Sequence, residues 1–254
     1  MSDESHQPPL TWIQEQDPLP PVDTAWGAET DAPGLLAAGS DLGVERLLEA
    51  YQQGIFPWFN PDQPVLWWSP DPRMVLKIKD FKLHRSLRKT LARYAAHPGF
   101  ELCFDRSFNQ VIEACAQSPR EGQNGTWIVP AMVDAYKALH LAGYAHSAET
   151  WLDGKLVAGL YFVCIGKAVF GESMFSNISD GSKMALAALV QACHRHQVVA
   201  IDCQQKTSHL ASMGGNEMPR SEFLALVNLS KQAISPDWKN VAIDWDEWRG
   251  SQPS

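Results

Sequence analysis

The apolar positions between residues 130 and 230 change their spacing several times, and each change predicts a different element. A helix is predicted over residues 130–142, and Gly143 ends it. The spacing then becomes two, which predicts a hairpin around Asp153-Gly154, because Asp-Gly favours the tight turn between antiparallel strands. Beyond this hairpin, the pattern predicts a strand from residue 168, a helix over 181–196, an apolar strand over 198–204 and a last helix over 220–230.

The first half of the chain is rich in turn residues. A helix is predicted over residues 43–53, with Ser40 or Asp41 as its cap. Residues 54–76 contain five prolines, which excludes a long helix and predicts extended segments joined by turns. The elements predicted after it are a basic helix over 84–97, a strand over 100–104 and a helix over 107–117.

The order of these elements indicates the fold class. Antiparallel strands followed by a β-α-β crossover predict a mixed, mostly antiparallel sheet covered by helices, which is an α+β fold. This order is similar to that of GNAT-type acyltransferases. Residues 1–30 are rich in Pro, Asp and Glu and lack periodicity, so they are predicted to form a flexible arm. The polar residues 236–254 are predicted to form an irregular tail.

Composition narrows the cellular setting. No run of about 18 apolar residues is present, so no membrane span is predicted. The N-terminus, MSDESHQPPL, is acidic and lacks the apolar core of a secretory signal. The five cysteines are odd in number and form no CxxC, which favours reduced, buried thiols over disulfides or a zinc site. We therefore expect a cytoplasmic protein.

The positive charge is concentrated in one segment. Residues 73–93 contain eight basic residues and one acidic residue, a balance of +7, whereas the whole chain carries −8. Such a segment could attract phosphates while the acidic remainder discourages indiscriminate binding. On charge alone a solvated helix face is the better explanation, because most runs of charge are of this kind.

Asp202 and Gln204 are the first candidates for chemistry. Side chains two apart on a strand share a face, so these two would project together from the end of the apolar strand over 198–204. Burying either group unpaired is unfavourable, which makes a functional pair plausible. The structural alternative is that Asp202 caps the turn that follows.

Glu172 is the second candidate, because it is a carboxylate on a largely apolar strand. It could bind a cationic group of a substrate, or a structural Arg or Lys could neutralise it, with Lys183 as the nearest choice. Other chemistries fit poorly, since the chain has no GxxxxGK[ST], GxGxxG, GxSxG or HExxH motif. The scattered histidines are interpreted as structural.

Several strings of uncommon residues recur in order and with compatible spacing in one known family. They are YQQGIFPWF (51–59), LWWSPDPR (66–73), TWI (126–128), YAHS (144–147), GESMFS (171–176), SK (182–183) and IDCQ (201–204). Through them the chain resembles leucyl/phenylalanyl-tRNA–protein transferase from about residue 33 to 228.

This resemblance implies an activity and its partners. Such enzymes move Leu or Phe, and less often Met, from aminoacyl-tRNA to a protein that begins with Arg or Lys, which marks the acceptor for N-end-rule degradation. The resemblance implies no metal and no organic cofactor, and we expect a monomer. It also implies a small N-terminal α/β domain, residues 31–78, packed on a GNAT-like catalytic domain, residues 79–235.

The resemblance also assigns roles to residues. Asp202 would polarise Gln204, whose carbonyl oxygen would orient the attacking amine, and Glu172 would hold the cationic acceptor residue. The aminoacyl pocket would be formed by Leu160, Val169, Met174, Leu186, Leu189, Cys193 and Ile201, of which Val169, Leu189 and Cys193 replace larger aromatic residues. Trp58, Trp127 and Tyr51 would bind the tRNA 3′-adenosine, and Lys82, Arg85, Arg88 and Lys89 would contact phosphates.

Three other functions remain alternatives at this point. An acyl-CoA-dependent GNAT enzyme would need an R/Q-x-x-G-x-G/A loop, which residues 171–190 lack. A FemX-like enzyme also uses aminoacyl-tRNA, but such chains are usually longer and have twin domains. A non-catalytic RNA-binding module would use only the Trp-rich segment and the basic helix.

Overall fold

A computed structural model describes residues 7–118 and 128–243, which form two sheets that share one core. The smaller sheet has the strand order β1-β2-β4-β3, with β1 and β2 parallel and the other pairs antiparallel. Helix α1 follows β2 and carries its buried residues, including Leu47 and Tyr51, on one face. The bounds are β1 Thr11–Ile13, β2 Leu35–Gly39, α1 Val44–Gln52, β3 Phe56–Pro57 and β4 Leu66–Trp68.

Part of the segment expected to be a flexible arm is built into this small sheet. Thr11–Ile13 pairs with β2, and Ile13 and Leu19 are buried. The guanidinium of Arg46, on α1, donates to the carbonyl oxygens of Glu15 and Asp17 at 2.8 and 2.7 Å. The expectation therefore fails for this stretch, because buried apolar contacts and a buried arginine fix a segment that has no periodicity. Residues 1–6 lie outside the described part of the chain.

The larger sheet contains seven strands in the order β11-β5-β10-β9-β8-β7-β6. All its pairs are antiparallel except β9 and β10, which are parallel and joined by the long helix α5. The predicted α+β class is thus confirmed, with the antiparallel meander and the β-α-β crossover that the sequence predicts. The strands are β5 Arg73–Lys77, β6 Phe100–Phe104, β7 Ala145–Leu152, β8 Lys155–Ile165, β9 Ala168–Ser176, β10 Ala200–Asp202 and β11 Asn216–Met218.

Among the described residues, six helices accompany the larger sheet, and the bounds of the predicted ones agree closely with the sequence pattern. The predicted helices over 84–97, 107–117, 130–142, 181–196 and 220–230 are all present within two residues at each end. They are α2 Arg85–Ala95, α3 Phe108–Gln117, α4 Pro130–Leu141, α5 Gly181–Arg195, α6 Ser208–Ser212 and α7 Arg220–Ser230. Within the described ranges, no helix is both long enough and apolar enough to cross a membrane.

Two strand predictions need correction. Strand β5 pairs with β10 and β11 in the larger sheet, although the boundary predicted at residue 78 assigns it to the small domain. Strand β10 ends at Asp202, not at residue 204, because Gln204 adopts a left-handed conformation with φ +57°. This backbone bend turns the chain out of the sheet and towards α6.

The segment after residue 235 is also more ordered than expected. Trp238 begins a 3₁₀ helix, Trp238–Asn240, and is 1% exposed. Its ring packs edge-on against Phe162 at 4.8 Å between centroids and lies 5.5 Å from Phe104. The predicted irregular tail is therefore anchored at its start by one buried side chain, while residues 244–254 lie outside the described part.

Replacing Trp238 by Ala should destabilise the protein by about 3–5 kcal/mol, because it removes a large buried ring and leaves a cavity. Trp12→Ala is the matched control, since Trp12 is 63% exposed, and its effect should stay near the ±0.5 kcal/mol typical of roughly neutral surface changes. Urea unfolding of both variants measures the difference. Equal losses would contradict the anchoring role of Trp238.

Candidate active site

A pocket of about 600 Å³ opens where α5, the strands β8 to β10 and the segment after β10 meet. Leu160 and Met174 lie directly opposite each other on β8 and β9, and Leu186 and Leu189 lie one turn apart on α5. These four side chains and Ile201 form an apolar wall. This wall bounds an apolar recess, against which an apolar side chain can pack.

Five of the seven residues predicted for the aminoacyl pocket line this recess, and two do not. Val169 and Cys193 are 3% and 0% exposed and belong to the core between the sheet and α5. Neither lines the pocket, because other side chains of the same core cover them. Of the three positions predicted to reshape the recess, only Leu189 contributes to its wall.

Asp202 is held by a buried ion pair with Arg73. The guanidinium donates from Nε and Nη2 to the two carboxylate oxygens at 2.8 and 2.7 Å, and both residues are at most 3% exposed. Nη1 of Arg73 donates to the carbonyl of Gly54 at 3.1 Å. The rings of Phe56 and Phe223 lie 4.7 and 4.6 Å from the guanidinium carbon. A bidentate pair enclosed in this way is rigid and dry.

The position of this ion pair changes two predictions. Asp202 does not line the large pocket, and it contacts Gln204 through the backbone, because its Oδ1 accepts from the Gln204 N–H at 2.9 Å. The alternative in which Asp202 organises the turn is therefore what the structure contains. Arg73 belongs to the basic segment by sequence, but it is fully buried and cannot contact phosphates.

Glu172 lies at the polar end of the pocket and accepts three hydrogen bonds. Tyr51 donates to Oε1 at 2.8 Å, Tyr136 donates to Oε2 at 3.2 Å, and Nε2 of Gln204 donates to Oε1 at 2.9 Å. The two tyrosine hydroxyls also contact each other. No lysine performs this role, since Lys183 pairs with Asp180 at 2.8 Å.

The surroundings of Glu172 raise its pKa, so the charge of this carboxyl group changes near neutral pH. Glu172 retains some exposure to the pocket but is densely surrounded by protein atoms. This burial raises its pKa to about 7, the Tyr51 hydrogen bond opposes the rise, and the charge of Asp202 adds to it. Burial and the charge of Glu172 hold the pKa of Tyr51 and Tyr136 well above the usual range, so both remain donors.

The orientation of Gln204 follows from the same cluster. A carboxylate only accepts hydrogen bonds, so the amide nitrogen of Gln204 must point towards Glu172. The carbonyl oxygen must therefore point away from Glu172. Gln204 itself lines the pocket, which leaves this oxygen as an acceptor for a bound group.

The three aromatic residues predicted at the nucleoside site have different outcomes. Trp58 lines the pocket, is half-buried and packs edge-on against Trp68 at 5.4 Å between centroids. Tyr51 is fully buried and hydrogen-bonded to Glu172, so its ring cannot stack on a base, and this prediction is wrong. Trp127 lies outside the described residues.

The basic surface lies close to the pocket. Lys82, Arg85 and Lys89 are exposed, whereas Arg88 is partly buried and donates from Nε to the carbonyl of Leu83 at 3.1 Å. Helix α6 follows the residues of the pocket wall, and its end contacts Lys82 and His84 in the middle of the basic segment. The N–H of Lys82 donates to Met213 O at 2.9 Å, and Nε2 of His84 lies 2.7 Å from Ser212 O.

Sequence reasoning missed several residues of this site. Tyr136 lies on the buried face of α4 with Met132 and Leu139, so its spacing indicates only core. Arg73 was hidden within a run of surface bases. His209 was interpreted as structural but lines the pocket. The signal for Tyr136 and Arg73 would be a buried hydroxyl and a buried guanidinium, each of which needs a partner. Amino-acid composition does not show that these groups are buried.

An apolar recess thus lies beside the Glu172 carboxyl group, whose pKa is about 7, and beside the amide carbonyl of Gln204. Such a site can hold an apolar acyl group next to an amine, keep the amine in line and remove its proton.

Comparison with known proteins gives a consistent picture. The family model "Leucyl/phenylalanyl-tRNA protein transferase" matches residues 75–228, and the model of its N-terminal domain matches residues 40–71. The chain is similar to the leucyl/phenylalanyl-tRNA–protein transferase of Polaromonas sp. strain JS666, with 54% identity over 94% of both chains. The enzyme of that name from Paraburkholderia phytofirmans is 55% identical over 91% of this chain and 94% of its own length.

Replacing Asp202 by Asn should lower the free energy of unfolding by about 3–5 kcal/mol, because the buried charge of Arg73 loses its partner. Urea unfolding measures the loss. The control is Glu101→Gln, which breaks the exposed Arg106–Glu101 pair and should cost no more than about 1 kcal/mol. An Asp202→Asn protein as stable as the parent would contradict the structural role of this pair.

Proposed function

Because the chain belongs to the leucyl/phenylalanyl-tRNA–protein transferase family, we propose that it moves Leu or Phe, and less readily Met, from aminoacyl-tRNA to proteins that begin with Arg or Lys. The product carries a new peptide bond and an N-terminus that marks it for N-end-rule degradation. The enzyme works as a monomer in the cytoplasm.

The main support for this proposal is that the apolar recess lies beside the polar pair Glu172 and Gln204. The recess takes the side chain of the donor amino acid, and Glu172 and Gln204 at its polar end face the acceptor. A recess of this kind discriminates weakly between apolar side chains that are not branched at Cβ, since one methylene is worth only about 1–3 kcal/mol. Leu, Phe and Met are therefore all accepted, whereas the shape of the recess excludes β-branched Ile and Val.

The reaction needs little chemical assistance. An aminoacyl ester is already activated, and the attacking α-amine has an ordinary pKa of roughly 7.7–8.0. The nitrogen forms a bond to the ester carbonyl carbon and the bond to the ribose oxygen breaks. The proton that the nitrogen then loses passes to that oxygen, which leaves as a hydroxyl. Holding amine and ester in line can supply much of the acceleration, up to roughly 7–11 kcal/mol in favourable cases.

Glu172 attracts the cationic acceptor residue and takes a proton from its α-ammonium group. Its pKa of about 7 lies close to that of the amine, which suits proton transfer at neutral pH. The carbonyl oxygen of Gln204 orients the same amine by accepting a hydrogen bond. Asp202 acts as a positioning residue, because it holds the backbone of Gln204 and is itself saturated by Arg73.

The tRNA end is held by stacking and by phosphate contacts. Trp58 is the pocket residue suited to stack on the terminal adenine, an interaction worth roughly 1–3 kcal/mol per base. Lys82, Arg85, Arg88 and Lys89 contact phosphates of the acceptor stem, which positions the RNA without reading its sequence. Recognition by the amino acid and not by the RNA sequence lets one enzyme use several tRNAs.

Transfer of labelled Leu from Leu-tRNA to a casein fragment that begins with Arg tests this function directly. The rate should rise as the pH increases through about 7, because the Glu172 carboxylate forms above its raised pKa. Glu172→Gln should be much slower and should lose this part of the pH profile, keeping only the part due to the amine. Val-tRNA and a fragment that begins with Gly serve as controls.

Two results would contradict the proposal. If Leu-tRNA binds but no label enters the fragment, the protein is an RNA-binding module without this activity. If Glu172→Gln keeps the parent rate and pH profile, Glu172 has no part in proton transfer.

The affinity for Leu-tRNA should fall steeply with rising salt, because phosphate contacts release counterions. Log affinity plotted against log salt concentration has a negative slope. Arg85→Ala and Lys89→Ala should each make this slope shallower by about one unit, because each variant loses one phosphate contact. Lys155→Ala is the control, since Lys155 is exposed at the hairpin turn between β7 and β8. Unchanged slopes in the first two variants would mean that this surface is only solvated.

A further inference from the structure

His209 is a polar residue of the pocket wall that the reaction above does not use. It lies in the short helix α6, which Thr207 caps by accepting the Leu210 N–H at 3.2 Å. Nε2 of His209 is buried and has no hydrogen-bond partner within the described residues. A buried polar atom without a partner is unfavourable and uncommon in native proteins, so it requires an explanation.

The surroundings of His209 determine its protonation state. Burial lowers the pKa of the imidazole, and the positive charge of Lys183 lowers it further. The ring is therefore neutral at pH 7. A neutral imidazole carries one donor and one acceptor nitrogen, so Nε2 can pair with a hydroxyl group whichever tautomer is present.

The position of α6 indicates which part of the substrate His209 would meet. Gln205 and Thr207, just before α6, line the pocket, and the end of α6 contacts Lys82 and His84 at the start of the basic surface. His209 thus lies between the recess for the amino acid and the surface for phosphates. In an aminoacyl-tRNA, the group between the aminoacyl ester and the last phosphate is the terminal ribose.

We infer that a rotation of the His209 side chain brings the buried Nε2 to the free ribose hydroxyl beside the aminoacyl ester of the terminal nucleotide, and that the two groups form a hydrogen bond. This inference rests on the proposed function, because it assigns a second contact within the same donor site. The hydroxyl both donates and accepts, and it is the group that distinguishes RNA from DNA. By holding it, His209 fixes the rotation of the ribose and with it the direction of the ester carbonyl.

Binding measurements with two stable ligands test this contact without any reaction. Both are leucine amides of 3′-amino-3′-deoxyadenosine, one with and one without the 2′-hydroxyl group. In the parent protein, losing the hydroxyl should weaken binding about tenfold, the upper end expected of one neutral hydrogen bond. In His209→Ala, both ligands should bind equally and about as weakly as the deoxy ligand binds the parent.

The comparison isolates one pairwise interaction, because the ligand change and the protein change remove the same bond. His194→Ala is the control variant, since His194 is exposed on α5, and it should keep the tenfold difference. In a protein labelled with ¹⁵N-histidine, the Nε2 resonance of His209 should shift with the hydroxyl-bearing ligand and much less with the deoxy ligand. A merely structural histidine would not separate the two ligands.

The outcomes distinguish this inference from the function it rests on. If both ligands bind but His209→Ala keeps the tenfold difference, the inference is wrong and the donor site stands. If neither ligand binds the parent protein, the donor site itself is wrong, and the inference falls with it. A third ligand, the 4-methylpentanoyl amide of 3′-amino-3′-deoxyadenosine, lacks only the α-amino group of the leucine amide. If His209→Ala changes the effect of this loss and not the effect of losing the hydroxyl, His209 binds the amine and the ribose contact is overturned.

Discussion

The buried ion pair between Arg73 and Asp202 is the interaction on which the rest of the site depends. Arg73 reaches across from β5 to the end of β10, and it also binds the carbonyl of Gly54 beyond α1. Phe56 and Phe223 enclose its guanidinium from the small sheet and from α7. One side chain thus links four elements at the point where the chain leaves the sheet. Since an unpaired buried charge is unfavourable, any rearrangement of these elements that separates Arg73 from Asp202 is disfavoured.

The bend after Asp202 places the side chain of Gln204 beside Glu172. Gln204 has a positive φ, and its N–H is held by Asp202, so its amide is directed towards Glu172. The two carboxylates consequently have different roles in one small volume. Asp202 is neutralised by its partner and remains structural, whereas Glu172 has only neutral donors and keeps a high pKa.

The sequence predicts the regular elements well and the polar contacts poorly, for physical reasons. Helices such as α5 and the hairpin around Asp153-Gly154 are local, and their apolar periodicity reports burial directly. The positions of the aminoacyl pocket came from the family resemblance and not from periodicity, and five of those seven side chains line one cavity. The partners of Glu172 were not found, since Tyr51 and Tyr136 are 121 and 36 residues away and look like ordinary core residues. Alternation also failed at Gln204, because a backbone bend ends the strand two residues early.

The two tyrosines that support Glu172 come from opposite halves of the molecule. Tyr51 lies on α1 beside the small sheet, and Tyr136 lies on α4 against the large one, yet their hydroxyls touch each other and the same carboxyl group. The part of the chain that forms the larger sheet therefore does not hold a complete site of its own, even though it supplies both Glu172 and Gln204. Recombination that joined halves from distant relatives would have to preserve the fit of these three groups.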